Sequence, residues 1–300
     1  MIDLAMKEHT VAFLGLGLIS GSLASALKAA EWQAELIAWG PRLPSLERGR
    51  DLGLIDRFSL CLKDVISQAD IVVIGAPPVA TANLLPEVLE LAANARRPAV
   101  TDIASVKELV VNAVCQKYDR FVPGHPIAGS EQSGVASAHH KLFRGREVIL
   151  TPLDNTDNEA VKCVEAIWDA AGARITMMSA SEHDATLAAS SHLPHLIAYA
   201  LTAMLGDDEL EPMKHGGGAL RDMTRTASSD PRMWREIVIN NQKPILQVID
   251  TFSDKFANLR GLIASADREE LDLFFSTCRH LRRDYDEILN PSQDDLEKVT

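Results

Sequence analysis

A chain of 300 residues, 46% hydrophobic and 24% charged, has the composition of an ordinary globular protein and is long enough to bury a large core and to form two domains. Its formal net charge of -12 at pH 7 repels phosphate backbones and anionic bilayers, so neither nucleic acid nor a membrane is an expected partner, and an anionic substrate must be met by positive charge gathered locally. Cys61, Cys115, Cys163 and Cys278 lie far apart with no metal-ligand spacing, the opening residues lack a signal-peptide pattern, and no apolar run nears the ~20 residues of a membrane span, so the expectation is a cytosolic protein with reduced thiols and no metal.

In chain order, Thr10–Leu14 is a short apolar strand that runs into a glycine turn, with a helix following over Gly21–Ala30. Glu35–Trp39 is a second strand. Asp70–Ala76 is a continuous apolar run, the pattern of a strand buried on both faces. Ala99–Ile103, Arg120–Pro123 and Glu147–Thr151 are further strands, Asn158–Ala171 is a helix, and Ala173–Met178 is a last strand. Strands alternating with helices predict a doubly wound, mostly parallel sheet.

The pattern changes near Ser179. Glu182–Leu205 is a helical stretch broken at Pro194, Asp207–Ser229 is an ordered glycine-containing loop, Asp230–Ala264 and Arg268–Leu289 are long helices, and Asn290–Thr300 is an acidic tail. The fold class expected is therefore an α/β N-terminal, doubly wound (Rossmann-type) domain over residues 1–178, then an all-α C-terminal domain over 179–290 and a tail over 291–300. The helical half carries more apolar stripe than one chain buries easily, which predicts a homodimer formed through it.

The turn GLGLISG predicts a dinucleotide site. Gly15 permits a tight turn, Gly17 lets a phosphate approach the backbone, and Leu18 and Ile19 open a helix whose N–H groups and dipole face the pyrophosphate. The third position of the fingerprint is Ser20, small enough for close packing. A strand before the turn and a helix after it are the context that gives this motif its meaning. At the end of the second strand, where an acid would bind the ribose hydroxyls of NAD, stand Gly40 and, two residues on, Arg42. A missing acid and a nearby cation lean the cofactor from NAD towards NADP. Ala76, Pro77 and Asp102, at the ends of the next strands, complete the expected cofactor set.

Three segments hold polar groups where apolar or turn residues would serve: TDIASVK from Thr101, GHPIAGSEQSG from Gly124, and SHLPH from Ser191 together with GGGALRDMTRTASSDPRMW from Gly216. With GLGLISGS they resemble, in order from about Val11 to Leu289, the prephenate/arogenate dehydrogenases. The resemblance implies a cyclohexadienyl substrate that loses hydride from its hydroxyl-bearing carbon and CO2 from the opposite carbon, and so becomes aromatic. The protein then has to orient substrate and cofactor, accept the hydroxyl proton and hold two carboxylates.

On that resemblance His125 takes the hydroxyl proton, a task that suits an imidazole. Ser105 orients this histidine or touches the same hydroxyl, and it competes for the role of helix N-cap before Val106. Arg225 holds a substrate carboxylate with its guanidinium fork, unless Asp222 claims it in a surface ion pair. His192 and His195 share a helical face, and the kink expected at Pro194 frees groups of Ser190 and Ser191 towards a ligand. His195 and Ser191 are substrate-binding candidates, His192 is an equal candidate for a packed core histidine, and SHLPH leans the substrate towards prephenate. Ser130, Glu131 and Gly217 line the same site. Trp234 either approaches a partner subunit's site or is plain helix core. The remaining histidines, His183 among them, read as surface or core.

Two other readings compete. A β-hydroxyacid-type dehydrogenase would rely on a catalytic lysine in its helical half and would not need the histidine of GHPIAG. A non-catalytic NADP-sensing regulator would keep the glycine turn without His125 and Arg225 together. Substrate and cofactor preference, feedback by tyrosine, and membership of a longer fusion protein stay open at this level.

Overall fold

The computed structural model describes residues 9–114, 118–128, 134–207 and 209–289. Six parallel strands, β1 (His9–Leu14), β2 (Ala34–Trp39), β3 (Arg57–Phe58), β4 (Ile71–Ile74), β5 (Ala99–Asp102) and β6 (Phe121–Val122), pair in the order β3-β2-β1-β4-β5-β6. The sequence direction reverses between β1 and β4, which opens a crevice beyond their carboxyl ends. Both faces of the sheet are covered. Val11 and Phe13 of β1 enter one apolar cluster, and Ala12 and Leu14 enter the other. This double burial is why these strands read as unbroken apolar runs.

The later strands do not extend that sheet. Pro123, which has no N–H for a ladder, separates β6 from β7 (Gly124–Pro126). There the chain enters a second sheet with β8 (Glu147–Leu150) and β9 (Arg174–Met177), in which β7 runs antiparallel to β8 and places His125 opposite Ile149. His125 is thus held on a strand.

From Ala180 onward every described element is helical. The first helix, Ala180–Leu187, starts in a capping box: Ser179 accepts from the Glu182 N–H while the Glu182 carboxylate takes the Ser179 N–H. The break expected at Pro194 is a wider π turn over Ala188–His192, after which the helix continues as Leu193–Gly206 with Pro194 in its first turn. A ring without an N–H is tolerated there because the first-turn donors have no intrahelical partner. Asp230–Ala264 divides at Asn241 into Pro231–Asn240 and Gln242–Ser265, and a helix over Arg268–Asp284 follows. The expected loop Asp207–Ser229 is corrected: it contains a 3-10 turn at Pro212–His215, a helix over Gly218–Thr224 started by extended Gly217, and a second 3-10 turn at Arg225–Ser228. Among the described residues no helix is long and apolar enough to cross a membrane.

Candidate functional site

The crevice between β1 and β4 is built by two turns pressed together. Gly15 has φ +97, and a Cβ on it would lie 2.5 Å from the Gly75 carbonyl oxygen. A Cβ on Gly75 would lie 1.9 Å from Ser20 Oγ, so the serine in the third fingerprint position fits because its neighbour across the crevice has no side chain. The buried Ser20 hydroxyl has no partner among the described residues. Nothing lies within 4 Å of a Cβ position on Gly17, the N-cap of the helix Leu18–Ala29. That open approach to a long helix's N-terminus fits a pyrophosphate. Leu18 and Ile19, half-buried, pack side chains against the core at the start of this helix. Ala76 and Pro77 stand at the mouth beyond β4, where the Ala76 carbonyl accepts from the Thr81 hydroxyl.

Beyond β2, a Cβ on Gly40 would meet only Leu46 at 3.7 Å and Gly15 at 3.9 Å, so packing does not forbid the usual acid there. Arg42, exposed at the N-cap of the helix Leu43–Asp51, has no ion pair among the described residues. Asp102 is a correction. It has no exposed surface, and its carboxylate is committed to the equally buried Lys107 ammonium at 2.5 Å and to the N–H groups of Ala104 and Gly124. Its side chain is not available to a cofactor.

Lys107 also donates to the Gly124 carbonyl at 2.6 Å, so the pair grips both backbone groups of the residue before His125. His125 Nδ1 lies 2.9 Å from Nε2 of His183, and His183 Nδ1 lies 2.7 Å from the Asp184 carboxylate. The two Asp184 oxygens accept the N–H groups of Lys107 and Glu108 at 2.8 Å each. Burial first, then the proximity of His183, Lys107 and His192, holds His125 well below the ordinary histidine value. Two of the three roles expected for Ser105, N-cap and orientation of His125, are therefore taken by others, which leaves contact with the substrate hydroxyl. The helix Lys107–Asn112 has Val106 at its N-cap, its first N–H groups go to Asp184, and His125 is oriented by His183.

The contacts continue into the helical half. Asn241, turned inward where its helix breaks, donates to the Asp184 carbonyl at 2.8 Å and approaches His192 Nδ1 at 3.1 Å. His192 is buried, and desolvation, with His183 and His195 nearby, lowers it to about 4 although Asp184 opposes the shift. His195 stacks on Trp234 at 4.0 Å, and its Nδ1 is bonded to the Ser191 carbonyl. Trp234 packs in its own chain against Val106 and Ile237. Tyr199, one turn along from His195, donates to the Ser229 carbonyl and so ties the 3-10 turn that begins with Arg225 to this helix. Burial lowers the basicity of His195, and the Arg225 charge adds to that effect. Asp222 pairs with Arg221. Gly217 is exposed close by in sequence, and Ser130 and Glu131 lie outside the described residues.

Within one chain a run of contacts leads from His125 through His183, Asp184, Asn241, His192 and Trp234 to His195, and the 3-10 turn that begins with Arg225 packs against the helix of His195. Sequence reasoning passed over His183, Asp184, Lys107 and Asn241. One signal was available: a lysine in the first turn of a helix opposes the dipole and calls for a compensating acid.

Two family models match the chain: "Prephenate dehydrogenase, nucleotide-binding domain" over residues 23–177 and "Prephenate dehydrogenase, dimerization domain" over 179–277. A cyclohexadienyl dehydrogenase of Zymomonas mobilis is 34% identical, the match covering 91% of this chain and 94% of that protein. The crystal structure of prephenate dehydrogenase from Aquifex aeolicus in complex with hydroxyphenyl propionate and NAD+ is 31% identical with a TM-score of 0.84, over 94% of this chain and 100% of that one. The crystal structure of Synechocystis arogenate dehydrogenase is 25% identical with a TM-score of 0.78, over 92% of this chain and 99% of that one.

Proposed function

The chain belongs to the prephenate dehydrogenase family, and from that membership we propose how its own residues carry the reaction. It is an NAD(P)-dependent dehydrogenase of tyrosine biosynthesis that oxidatively decarboxylates a cyclohexadienyl substrate. The observation that carries the residue assignment is the run of contacts from His125 to His195, with the turn of Arg225 packed on the same helix, which supplies an imidazole for the hydroxyl and a guanidinium for a carboxylate. The β-hydroxyacid and sensor readings lack this pairing.

The glycine turn and the helix Leu18–Ala29 hold the dinucleotide through backbone N–H groups, with Ala76 and Pro77 at the crevice mouth. The dinucleotide held there would supply the hydride acceptor for the carbon that bears the hydroxyl. His125, neutral because its surroundings disfavour a cation, takes the hydroxyl proton, and Ser105 touches the same hydroxyl. Arg225 holds a carboxylate, with His195, Ser191, Gly217, Ser130 and Glu131 around the rest of the ring and side chain. NADP is favoured over NAD, supported by Gly40, where sterics leave room for an acid that is absent, and by the unclaimed charge of Arg42.

Prephenate is the first substrate, on the strength of the SHLPH motif beside Arg225. Arogenate is the second, because a neutral His195 that donates Nδ1–H to Ser191 presents an Nε2 lone pair suited to an ammonium. The test is the absorbance of reduced nicotinamide with each substrate and each cofactor. Turnover strongest with prephenate and NADP is the expected result, and no turnover in any of the four pairings would remove this reading.

We also assign the homodimer to the helical half, supported by the exposed Phe252, Phe256, Leu273, Phe275 and Leu281 on its last two long helices. A cytosolic location is supported by the free thiols of Cys61, Cys163 and Cys278.

A further inference from the structure

We propose that His183 and Asp184 are positioning residues that lock His125 in the one tautomer able to accept a proton, and that they share the charge it then acquires. This rests on the reading of His125 as the base.

With Asp184 ionised and His183 neutral, the three side chains admit one arrangement of protons. An ionised carboxylate only accepts, so the 2.7 Å contact between His183 Nδ1 and Asp184 requires a proton on His183 Nδ1. A neutral His183 then carries a lone pair on Nε2. The 2.9 Å contact from that atom to His125 Nδ1 requires the proton on His125 Nδ1. His125 Nε2 is left with a lone pair, which is the state of a base. Asp184 is itself held in place, since its oxygens also take the N–H groups of Lys107 and Glu108, and its carbonyl takes the Asn241 amide. The other charged or titratable neighbours are Lys107 and Asp102, paired beneath the strand of His125, and His192, held by Asn241. A second proton on His183 would reverse the order: Nε2–H would donate to His125 Nδ1, push the His125 proton to Nε2, and block the base.

The chemistry closes without a net proton. The hydroxyl proton passes to His125 Nε2 as the O–H electron pair forms a carbonyl and the C–H pair leaves as hydride. The His125 Nδ1 proton is shared with His183 Nε2, so the positive charge lies against Asp184. When CO2 departs, the C–C electron pair flows through the ring onto the same oxygen, which recovers its proton from His125. A proton that is lent and returned needs no route to solvent. That suits His183, which has no exposed surface.

The test is nitrogen-15 NMR of the imidazoles in the full chain at neutral pH, with His125 assigned by its loss in His125→Asn. Nδ1 protonated and Nε2 bare is the expected pattern. In Asp184→Asn the amide donates to His183, the order reverses, and Nε2 of His125 becomes protonated. Turnover should then fall by about 10²–10⁴, the usual worth of acid–base catalysis, with the substrate KM nearly unchanged. His183→Gln presents a carbonyl to His125 Nδ1 without the ability to take charge, so it should keep the tautomer and lose less turnover than Asp184→Asn. A wild-type spectrum with Nε2 protonated overturns the lock, as does an Asp184→Asn enzyme within threefold of wild type. If Asp184→Asn does not fold, the wild-type spectrum and His183→Gln decide. The spectrum needs no substrate, so inactivity on both substrates beside the expected tautomer sinks the assigned reaction and leaves the lock standing.

Discussion

Lys107 and Asp102 meet at 2.5 Å with no part of either side chain exposed, directly beneath the strand that carries His125. Burial lowers the lysine's pKa while the carboxylate pulls it back up. Removing one partner leaves a buried charge uncompensated, at a cost of about 3–5 kcal/mol. Lys107→Met should lower the urea midpoint accordingly, and Lys107→Met combined with Asp102→Asn should recover part of the loss. Equal midpoints for Lys107→Met and wild type would show that the pair is not an ion pair in solution.

His125→Asn should reduce turnover by about 10²–10⁴ with a modest change in substrate affinity, since the side chain acts on the hydroxyl proton and not on the carboxylates. Steady-state kinetics check this. Turnover that survives the change would assign the proton to another group.

Arg225→Ala should act mainly on KM, raising it roughly ten- to hundredfold through loss of a charge-assisted pair, while turnover at saturation falls less. Because the Arg225 charge also depresses His195, the same variant should raise the His195 pKa in an NMR titration. An unchanged KM takes Arg225 out of the site.

Cofactor choice has a two-variant test. Arg42→Ala should weaken NADP by roughly tenfold and leave NAD nearly untouched, because only the extra phosphate meets the guanidinium. Gly40→Asp, which the local packing admits, should favour NAD. Equal effects of Arg42→Ala on both cofactors would make it an ordinary surface cation.

His192 makes stability depend on pH in a definite direction. Its pKa is lowered from 6.5 to about 4 by burial, so in the window between those values the unfolded chain binds a proton that the folded chain refuses. Stability is therefore full above about pH 6.5 and is lost as pH falls towards 4, by up to about 3 kcal/mol from this residue. His125, also lowered, adds in the same direction. Urea midpoints measured from pH 7 down to pH 4.5 should fall more steeply in wild type than in His192→Gln; parallel curves would rule out this assignment.

Several elements were legible because their causes are local. The strand–glycine turn–helix at Gly15 depends on a φ that few residues adopt. The helix after Ser179 is announced by its capping box, and the double burial of β1 and β4 is written as apolar runs. Other readings failed where the cause was distant. Beyond Pro123 the chain pairs with residues 147–150 in a second sheet, the segment around Gly217 folds into short helices, and what read as one helix breaks at Asn241, whose amide meets Asp184 and His192.

By itself, then, the order of residues determined the α/β half, the helical half, the glycine turn and the chemical types His125 and Arg225, since backbone dihedrals, caps and apolar periodicity act within a few residues. Only the tertiary structure decided that Asp102 serves Lys107 in place of a cofactor, that Asp184 caps a helix 77 residues away, and that His183 stands behind His125. Those pairings arise when packing removes water from groups that must then find one another, and a one-dimensional pattern does not record which groups share the dry space.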